Sequence, residues 1–350
     1  MLFKKKEPIG LDIGSSSIKV AKISGTKAGY ELSLYNELQL PQGLIVDGLI
    51  SDKSALVSHI KELLKMSGLK SGDVNIGISG HSSVIVKKIS LPLATYDELS
   101  ATIISEAEQY IPFDISEVNL DFEILGAKKD EEDMMEILLV AVKKNVMDSY
   151  VEAVQQAGLN PVILDIDSFA LSNVFEINYP ATFDRNIAIV NIGASKTNIN
   201  ILQSGIPVFT RDSAIGSNYH TEELCRAFDL SWEDAERLKR NQPVDRVSPE
   251  EASMVISSAS DELFAEIYRS FEYFRSSISE EDMNEVYLCG GASLIKGFQD
   301  AMIERLAVKV AIMDPLRSVS VSPKLDESYI KDIAPSAVVA MGLAVRRAGD

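Results

Sequence analysis

The chain has 350 residues, 52 Asp and Glu against 34 Lys and Arg for a formal net charge of -18, 46% hydrophobic and 25% charged residues: a globular composition with room for two domains of ordinary size. That charge argues against sequence-independent nucleic-acid binding, which draws its affinity from clustered basic side chains, so any polyanion must be held by a local site. The two cysteines, Cys225 and Cys289, lie far apart without CxxC or Cys/His spacing, which argues against a disulfide framework or a zinc site and for a reducing cytoplasm. No apolar run approaches the roughly 20 residues of a membrane span, and the N-terminus lacks the apolar stretch of a signal peptide. Lys4, Lys5 and Lys6 after Leu2 and Phe3 are few for a membrane anchor and read as a solvated tail.

Pro8 to Lys22 is an apolar strand ending in Asp12, a tight turn through Gly14, Ser15, Ser16 and Ser17, and a second strand carrying Lys19. Gly14 lets backbone amides face an anion, the serines add donors, Asp12 at the strand end suits Mg²⁺ through water, and Lys19 can reach phosphate oxygens. The GxxxxGK[ST] run of a P-loop is absent, and an ordinary polar hairpin accounts for so short a stretch equally well. Tyr30 to Leu40 reads as a strand before the turn Pro41-Gln42-Gly43. Ser54 to Met66 reads as an amphipathic helix with Gly68 past its end, and Val74 to Ile78 and Val84 to Ile89 as strands.

From about Ser90 to Asp165 the pattern changes. Thr95-x-x-Glu98 is a capping box whose helix buries Leu99, Ile103, Ile104, Ala107 and Tyr110, with a stop at Ile111-Pro112-Phe113. A strand over Val118 to Leu125, a charged turn over Lys128 to Asp133, a strand over Ile137 to Val142 and a helix from Asn145 to Ala157 follow. The insert is either a structural subdomain or an interaction surface, with Ile85 to Ser90 as an edge to which a partner peptide could add. Val162 to Ile166 then reads as a strand handing over at Asp167 to a helix, where Asp167 is either an N-cap or a site residue.

Ile187 to Gly205 repeats the first hairpin: Asn191, Ile192, Gly193 and Ser195 fall on Asp12, Ile13, Gly14 and Ser16. The repeat implies two related halves, each offering one hairpin, and two facing hairpins can clamp a polyphosphate. Beyond it, Gly216 and Thr221 introduce a helix from Glu222 to Phe228, and Ser231-x-x-Asp234 caps a helix containing Glu236 and Lys239. Ser248-Pro249-x-Glu251 opens a long helix whose buried stripe runs through Ala259, Leu263, Ile267, Phe271, Phe274 and Ile278. Val286 to Cys289 is a buried strand running into Gly290-Gly291, Ser293 and a helix, where bare backbone can accept a flat ring or a phosphate. Pro335 to Arg347 closes the chain as a small-residue helix.

In this order LDIGSSSIKV, DIDSFAL, VNIGASKTNI, LCGGASLIKGF and AVVAMGLAVRR resemble the five nucleotide-site motifs of the actin, heat-shock-chaperone and sugar-kinase superfamily. EAEQYIPFDI, the insert, and AIGSNYHTEELCRAFDLSWEDAERLKR further resemble the PilM family of actin-like proteins of type IV pilus assembly. The resemblance implies an α/β, duplicated actin-like (ribonuclease-H-like) ATPase fold. Domain I would span residues 1–165, with subdomain 1A and a 1C-type insert at about 90–165. Domain II would span 166–350, with subdomain 2B at about 215–280 and the final helix, 335–347, returning to domain I.

It also implies an ATP and Mg²⁺ site: Asp12 as the Mg²⁺-linked acid, Gly14 to Ser17 and Lys19 as the first phosphate loop, Asp167 to position water, and Gly193, Ala194, Ser195, Lys196 and Thr197 as the second loop. Gly216, Glu236 and Lys239 would lie toward ribose and adenine, and Gly290, Gly291 and Ser293 under the nucleoside. Asn191 departs from the family pattern, where an acid opens the second loop; a neutral amide cannot accept a proton, which would cost on the order of 10²-fold or more in rate. The implied role is a cytoplasmic ATP-binding adaptor with slow or absent hydrolysis. It would bind the N-terminal segment of PilN in a groove between subdomains 1A and 1C, and through PilN join the PilN/PilO platform and motor at the inner membrane. Self-association stays open. The alternatives are an FtsA-like filament protein, expected to carry a terminal amphipathic helix where this chain stops at Ala344 to Asp350, and a small-molecule kinase, for which no extra catalytic Asp is evident.

Overall fold

The computed structural model describes residues 8–26, 29–80, 82–128, 131, 133–180, 185–279 and 282–347. Lys4 to Lys6 and parts of the 128–133 turn and the 344–350 terminus lie outside them. The first half runs through β1 (Ile9–Ile13), β2 (Ser17–Thr26), β3 (Gly29–Gln39), the short ribbon β4 (Ile45–Val46) and β5 (Leu49–Ile50), α1 (Lys53–Met66) and β6 (Asp73–Ile78). It continues with β7 (Val84–Pro92), α2 (Tyr96–Ala107), β8 (Val118–Ala127), β9 (Met134–Lys143), α3 (Lys144–Gln156) and β10 (Asn160–Ile166). The second half holds α4 (Asp167–Asn178), β11 (Asn186–Ile192), β12 (Thr197–Gln203), β13 (Ile206–Ser213), α5 (Asn218–Phe228), α6 (Trp232–Lys239) and α7 (Pro249–Ser277). It ends with β14 (Glu285–Cys289), α8 (Phe298–Leu306), β15 (Lys309–Ile312), β16 (Val319–Val321), α9 (Glu327–Ile333) and α10 (Val338–Val345).

Two sheets organise these elements. One has the order β10-β6-β1-β2-β3-β16, the other β13-β12-β11-β14-β15. Each is built on a hairpin whose first strand runs parallel to its other neighbour, β1 beside β6 and β11 beside β14. Strand alternation divides the apolar side chains between cores. Ile9, Leu11 and Ile13 of β1 join α1 and α3 in the first core, whereas Ala188, Val190 and Ile192 of β11 face α7 and α8 in another. Between the sheets lies a shared core: Ala21, Ile23 and Leu32 from the first, Ile187, Ile189 and Tyr287 from the second, with α4 and α10 filling the space.

Close approach in that core requires glycine. A Cβ on Gly10 of β1 would stand 2.1 Å from the Ala340 carbonyl oxygen of α10, and one on Gly342 would stand 1.9 Å from the Ala170 oxygen of α4. Asn75 of β6 fixes the far end of α10, its Nδ2 donating to the carbonyls of Leu343 at 2.8 Å and Arg346 at 2.9 Å. These carbonyls have no partner within the helix, so the side chain serves as a C-terminal cap.

The insert has its own three-stranded sheet, β7-β9-β8, and its own core, reaching from Ile85 to Ala141. Helix α3 and strand β10, inside the segment read as insert, belong instead to the first core and first sheet. Strand β7 is an edge of its sheet, and its other side approaches β13 of the second lobe.

Several expectations are corrected. Ile104 is exposed: the small insert sheet covers only the i, i+4, i+8 stripe of Leu99, Ile103 and Ala107. Ile278 is exposed too, because it is the C-cap of α7, past the sheet edge. Asp167 is the first residue of α4 and not its cap; Ile166 holds the cap position without a side-chain bond. Helix α5 begins at Asn218, four residues earlier than expected. After Gly290 the chain makes a 3₁₀ turn, Gly291–Leu294, and α8 begins only after Gly297 in the left-handed region. Strands β13, β15 and β16 and helix α9 had not been expected, nor had the ribbon β4–β5.

Replacing Gly342 by Ala should lower the unfolding free energy by about 2 kcal/mol, because the added methyl would meet the Ala170 backbone and no flexible side chain that could give way. Urea unfolding of the full chain checks this; wild-type stability in the variant would show that α10 can shift off α4.

Candidate functional site

The C-terminal ends of β1, β6, β10, β11 and β14 converge on a cleft between the two sheets, where bends after parallel strands leave backbone groups open to a ligand. The two turns that enter it are built alike. Gly14 N donates to Ser17 O at 3.0 Å, and Gly193 N donates to Lys196 O at 2.9 Å. Leu40 N holds the first turn down by donating to Ser16 O at 2.8 Å. At the tips, the Ser15 and Ser195 hydroxyls share a hydrogen bond of 2.8 Å, so the two loops meet face to face.

Behind the turns the chemistry differs. In the first hairpin Asp12 stands opposite Lys19, with Nζ 3.2 Å from Oδ2. Burial, reinforced by Asp167, pushes the Asp12 carboxyl above its usual range against the pull of Lys19. Burial draws the Lys19 ammonium down, but Asp12, Glu37 and Asp167 together hold it above its usual value, so it stays charged. At the same positions of the second hairpin Asn191 stands opposite Asn198, with Nδ2 of the former donating to Oδ1 of the latter at 2.8 Å. An amide pair replaces an ion pair.

Lys196 crosses the cleft, donating to Ser79 Oγ beyond the end of β6 and standing 3.5 Å from Asp167 Oδ2. Ser79 donates to the same Asp167 oxygen. Gly77 makes room for this carboxylate, since a Cβ there would stand 2.3 Å from Asp167 Oδ1. Asp12, Asp167, Lys19 and Lys196 thus gather in one small volume, two acids and two bases.

Helix α5 abuts the second turn: Ser217 N donates to Gly193 O at 2.8 Å and Asn218 N to Ala194 O at 2.7 Å. Gly216 permits this, as its Cβ would lie 2.5 Å from Ala194 O. Lys239 is buried behind the turn, donating to Ser217 O at 3.3 Å, Thr221 Oγ1 at 2.8 Å and Glu236 Oε1. Burial draws its ammonium below the usual lysine range, against the pull of Glu236. Thr197 gives its hydroxyl to Ile215 O at 2.8 Å and Ser293 gives its own to Gly290 O at 2.6 Å, so both shape the loops. The space a Cβ would take on Gly290 belongs to Ile192 O and Asn191 Oδ1, at 2.4 and 2.6 Å, whereas at Gly291 it is open.

The residues present fit a polyphosphate with a divalent cation. The backbone amides of Ser15, Ser16, Ala194 and Ser195 bond to no other described residue, so both turns offer donors to an anion. Lys19 and Lys196 add positive charge, and Asp12 offers a carboxylate for metal-bound water. Sequence reasoning missed three participants. Ser79 and Gly80 follow an apolar strand as a small polar pair, a signal that could have been read. Asp212, at the end of β13, hydrogen-bonds Asn198 Nδ2 at 2.6 Å and Gly80 N at 2.8 Å, and its sequence context carries no glycine turn to mark it.

A family model described as type IV pilus assembly protein PilM matches residues 10–348. Among solved structures, the chain is similar to one described as the PilM-PilN type IV pilus biogenesis complex, at 30% identity and a TM-score of 0.86 over 98% of both chains. It is also similar to the ethanolamine utilization protein EutJ from Carboxydothermus hydrogenoformans, at 16% identity and a TM-score of 0.59 over 97% of this chain and 89% of that one. MreB5 of Spiroplasma citri bound to AMPPNP aligns at 12% identity and a TM-score of 0.53 over 97% and 95%. The last two speak to the fold alone, which is actin-like with two lobes about a cleft.

His220, at the base of this site, is fully buried; its Nε2 lies 2.9 Å from Ser260 Oγ, and its ring packs edge-on to Phe298. Burial, helped by Lys239, lowers its pKa from 6.5 to about 4. The unfolded chain therefore takes up a proton first as pH falls through 6.5. The contribution of neutral His220 is full above pH 6.5 and lost toward pH 4, about 3 kcal/mol in all. Comparing urea unfolding of the wild type and His220→Gln at pH 7 and pH 5 should show a smaller drop in the variant; equal drops would place the acid sensitivity elsewhere.

Proposed function

The chain belongs to the PilM family of type IV pilus assembly proteins, and on that premise we propose that it is an actin-like, ATP-binding adaptor that takes the cytoplasmic N-terminal segment of PilN. The observation that carries this reading is the likeness, over nearly the whole of both chains, to the structure described as the PilM-PilN complex. Bound ATP·Mg²⁺ would supply the polyphosphate and the cation around which the lobes close. The amides of Ser15, Ser16, Ala194 and Ser195 would bind phosphate oxygens, Lys19 and Lys196 would offset their charge, and Asp12 would hold the cation through water.

Asp167 would orient a water, but its Oδ2 is bonded to Ser79 and lies beside Lys196, and the partner position that would help remove a proton is the neutral Asn191. Slow or absent hydrolysis follows from that pairing. The PilN segment would lie in a groove between the first core and the insert, with edge strand β7 near it. Nucleotide would then alter partner affinity to the extent that it prefers one state of closure. We place the protein in the cytoplasm, at the inner membrane through PilN and the PilN/PilO platform. Among the described residues no single helix is long and apolar enough to cross a membrane.

Isothermal titration with ATP·Mg²⁺, with and without a peptide of the first dozen or so PilN residues, tests this beside a phosphate-release assay. Saturable binding of both without comparable turnover is expected. Rapid hydrolysis with no peptide binding would favour an enzyme or filament. Lys196→Ala should weaken ATP binding about 10- to 100-fold through loss of a charge-assisted contact, measured by the same titration; unchanged affinity would remove Lys196 from the phosphate site.

A further inference from the structure

Polar side chains link the second hairpin to the first lobe by a route separate from the loop tips. Asp212 is partly buried beside β12, its Oδ1 accepting from Asn198 Nδ2 at 2.6 Å and its Oδ2 accepting from Gly80 N of the first lobe at 2.8 Å. Asn198 Oδ1 in turn accepts from Asn191 Nδ2 at 2.8 Å. Lys196 and Asp167 are the other charged groups that face Asp212.

An ionised carboxylate only accepts hydrogen bonds, so Asn198 must turn its NH₂ to Asp212 and its carbonyl to Asn191. Asn191 must then donate its NH₂. Its own carbonyl oxygen is left to face the bare backbone of Gly290, where a Cβ would stand 2.6 Å away. One carboxylate therefore decides the orientation of both amides. It holds them while also holding the Gly80 amide across the cleft.

We propose that Asp212 is a positioning residue of the nucleotide cleft: it supplies the negative charge that Asn191 lacks, sets the Asn191 amide through Asn198, and ties that setting to lobe closure through Gly80. This rests on the reading of the cleft as a nucleotide site. The chain of bonds accommodates one acid and no more. In Asn191→Asp both ends become acceptors, and however Asn198 turns, its carbonyl faces a carboxylate. In Asn191→Asp with Asp212→Asn the whole chain re-forms with reversed polarity, and the amide oxygen at 212 still accepts from Gly80 N.

Burial pushes the Asp212 carboxyl above its usual range against the pull of Lys196, so the test uses the full chain on the alkaline side, at pH 8, in four forms: wild type, Asn191→Asp, Asp212→Asn and the double variant. Amide hydrogen exchange of the peptide containing Gly80 is followed without nucleotide, and ATP·Mg²⁺ affinity is measured by titration. Asn191→Asp should exchange about tenfold faster, Asp212→Asn should keep most of the protection because its amide oxygen can still accept from Gly80 N, and adding Asp212→Asn to Asn191→Asp should recover most of what the latter loses. Wild-type protection in Asn191→Asp, or losses that simply multiply in the double variant, would overturn the proposal. Absence of saturable ATP binding by the wild type would instead sink the nucleotide reading, and the exchange pattern would still decide the role of Asp212.

Discussion

Backbone packed directly on backbone, at Gly10 and at Gly342, is the constraint on which both lobes depend. Through these two contacts α10 lies against β1 of the first sheet and α4 of the second half with no side chain between. The apolar residues around it, from Ala21 to Leu343, form one core bordered by both sheets. Burial of each large side chain there contributes about 1.5–3 kcal/mol, so the shared core ties the lobes into one stable body. Because the parallel strands of both sheets end on the same side of this core, their turns face each other.

The two hairpins show how a repeated backbone can carry unequal chemistry. The glycine turns agree to a tenth of an ångström in their closing hydrogen bond. One step back along the strands, the positions held by Asp12 and Lys19 in one hairpin are Asn191 and Asn198 in the other. The first lobe therefore holds an internally balanced ion pair. In the second the cation comes from the turn itself, at Lys196, and is balanced by Asp167 of α4. The first ion pair stays within its own hairpin, whereas Lys196 of the second also bonds Ser79 of the first lobe, which makes the second hairpin the one that responds to separation of the lobes.

Much of this was legible in the sequence where the signal is local. The boxes Thr95/Glu98 and Ser248/Glu251 are formed at the starts of α2 and α7, since a cap needs only its own turn. Both glycine-serine hairpins form for the same reason. What escaped depends on distance in the chain. Asp212 matters because β13 lies beside β12 and because Gly80 comes from the other lobe. Gly342 resembles any small residue of an apolar helix until Ala170 is placed against it. Gly290 packs its bare Cα against the end of β11, a contact that only the fold reveals. One local signal was overlooked: Asp47-Gly48 between Ile45-Val46 and Leu49-Ile50 has the signature of a two-residue hairpin, with φ of 48° and 73° at its centre.

That ribbon rests on the cleft. A Cβ on Gly48 would stand 2.2 Å from Ser79 O, and one on Gly80 would stand 2.8 Å from Asp47 O, while Ser82 bonds the Asp47 carboxylate. The peptide that carries Ser79 to Asp167 and Gly80 to Asp212 is thus packed backbone to backbone against a ribbon whose Val46 and Leu49 side chains are exposed. A single hairpin turn is all that separates the bonds of the cleft from the outer surface of the first lobe.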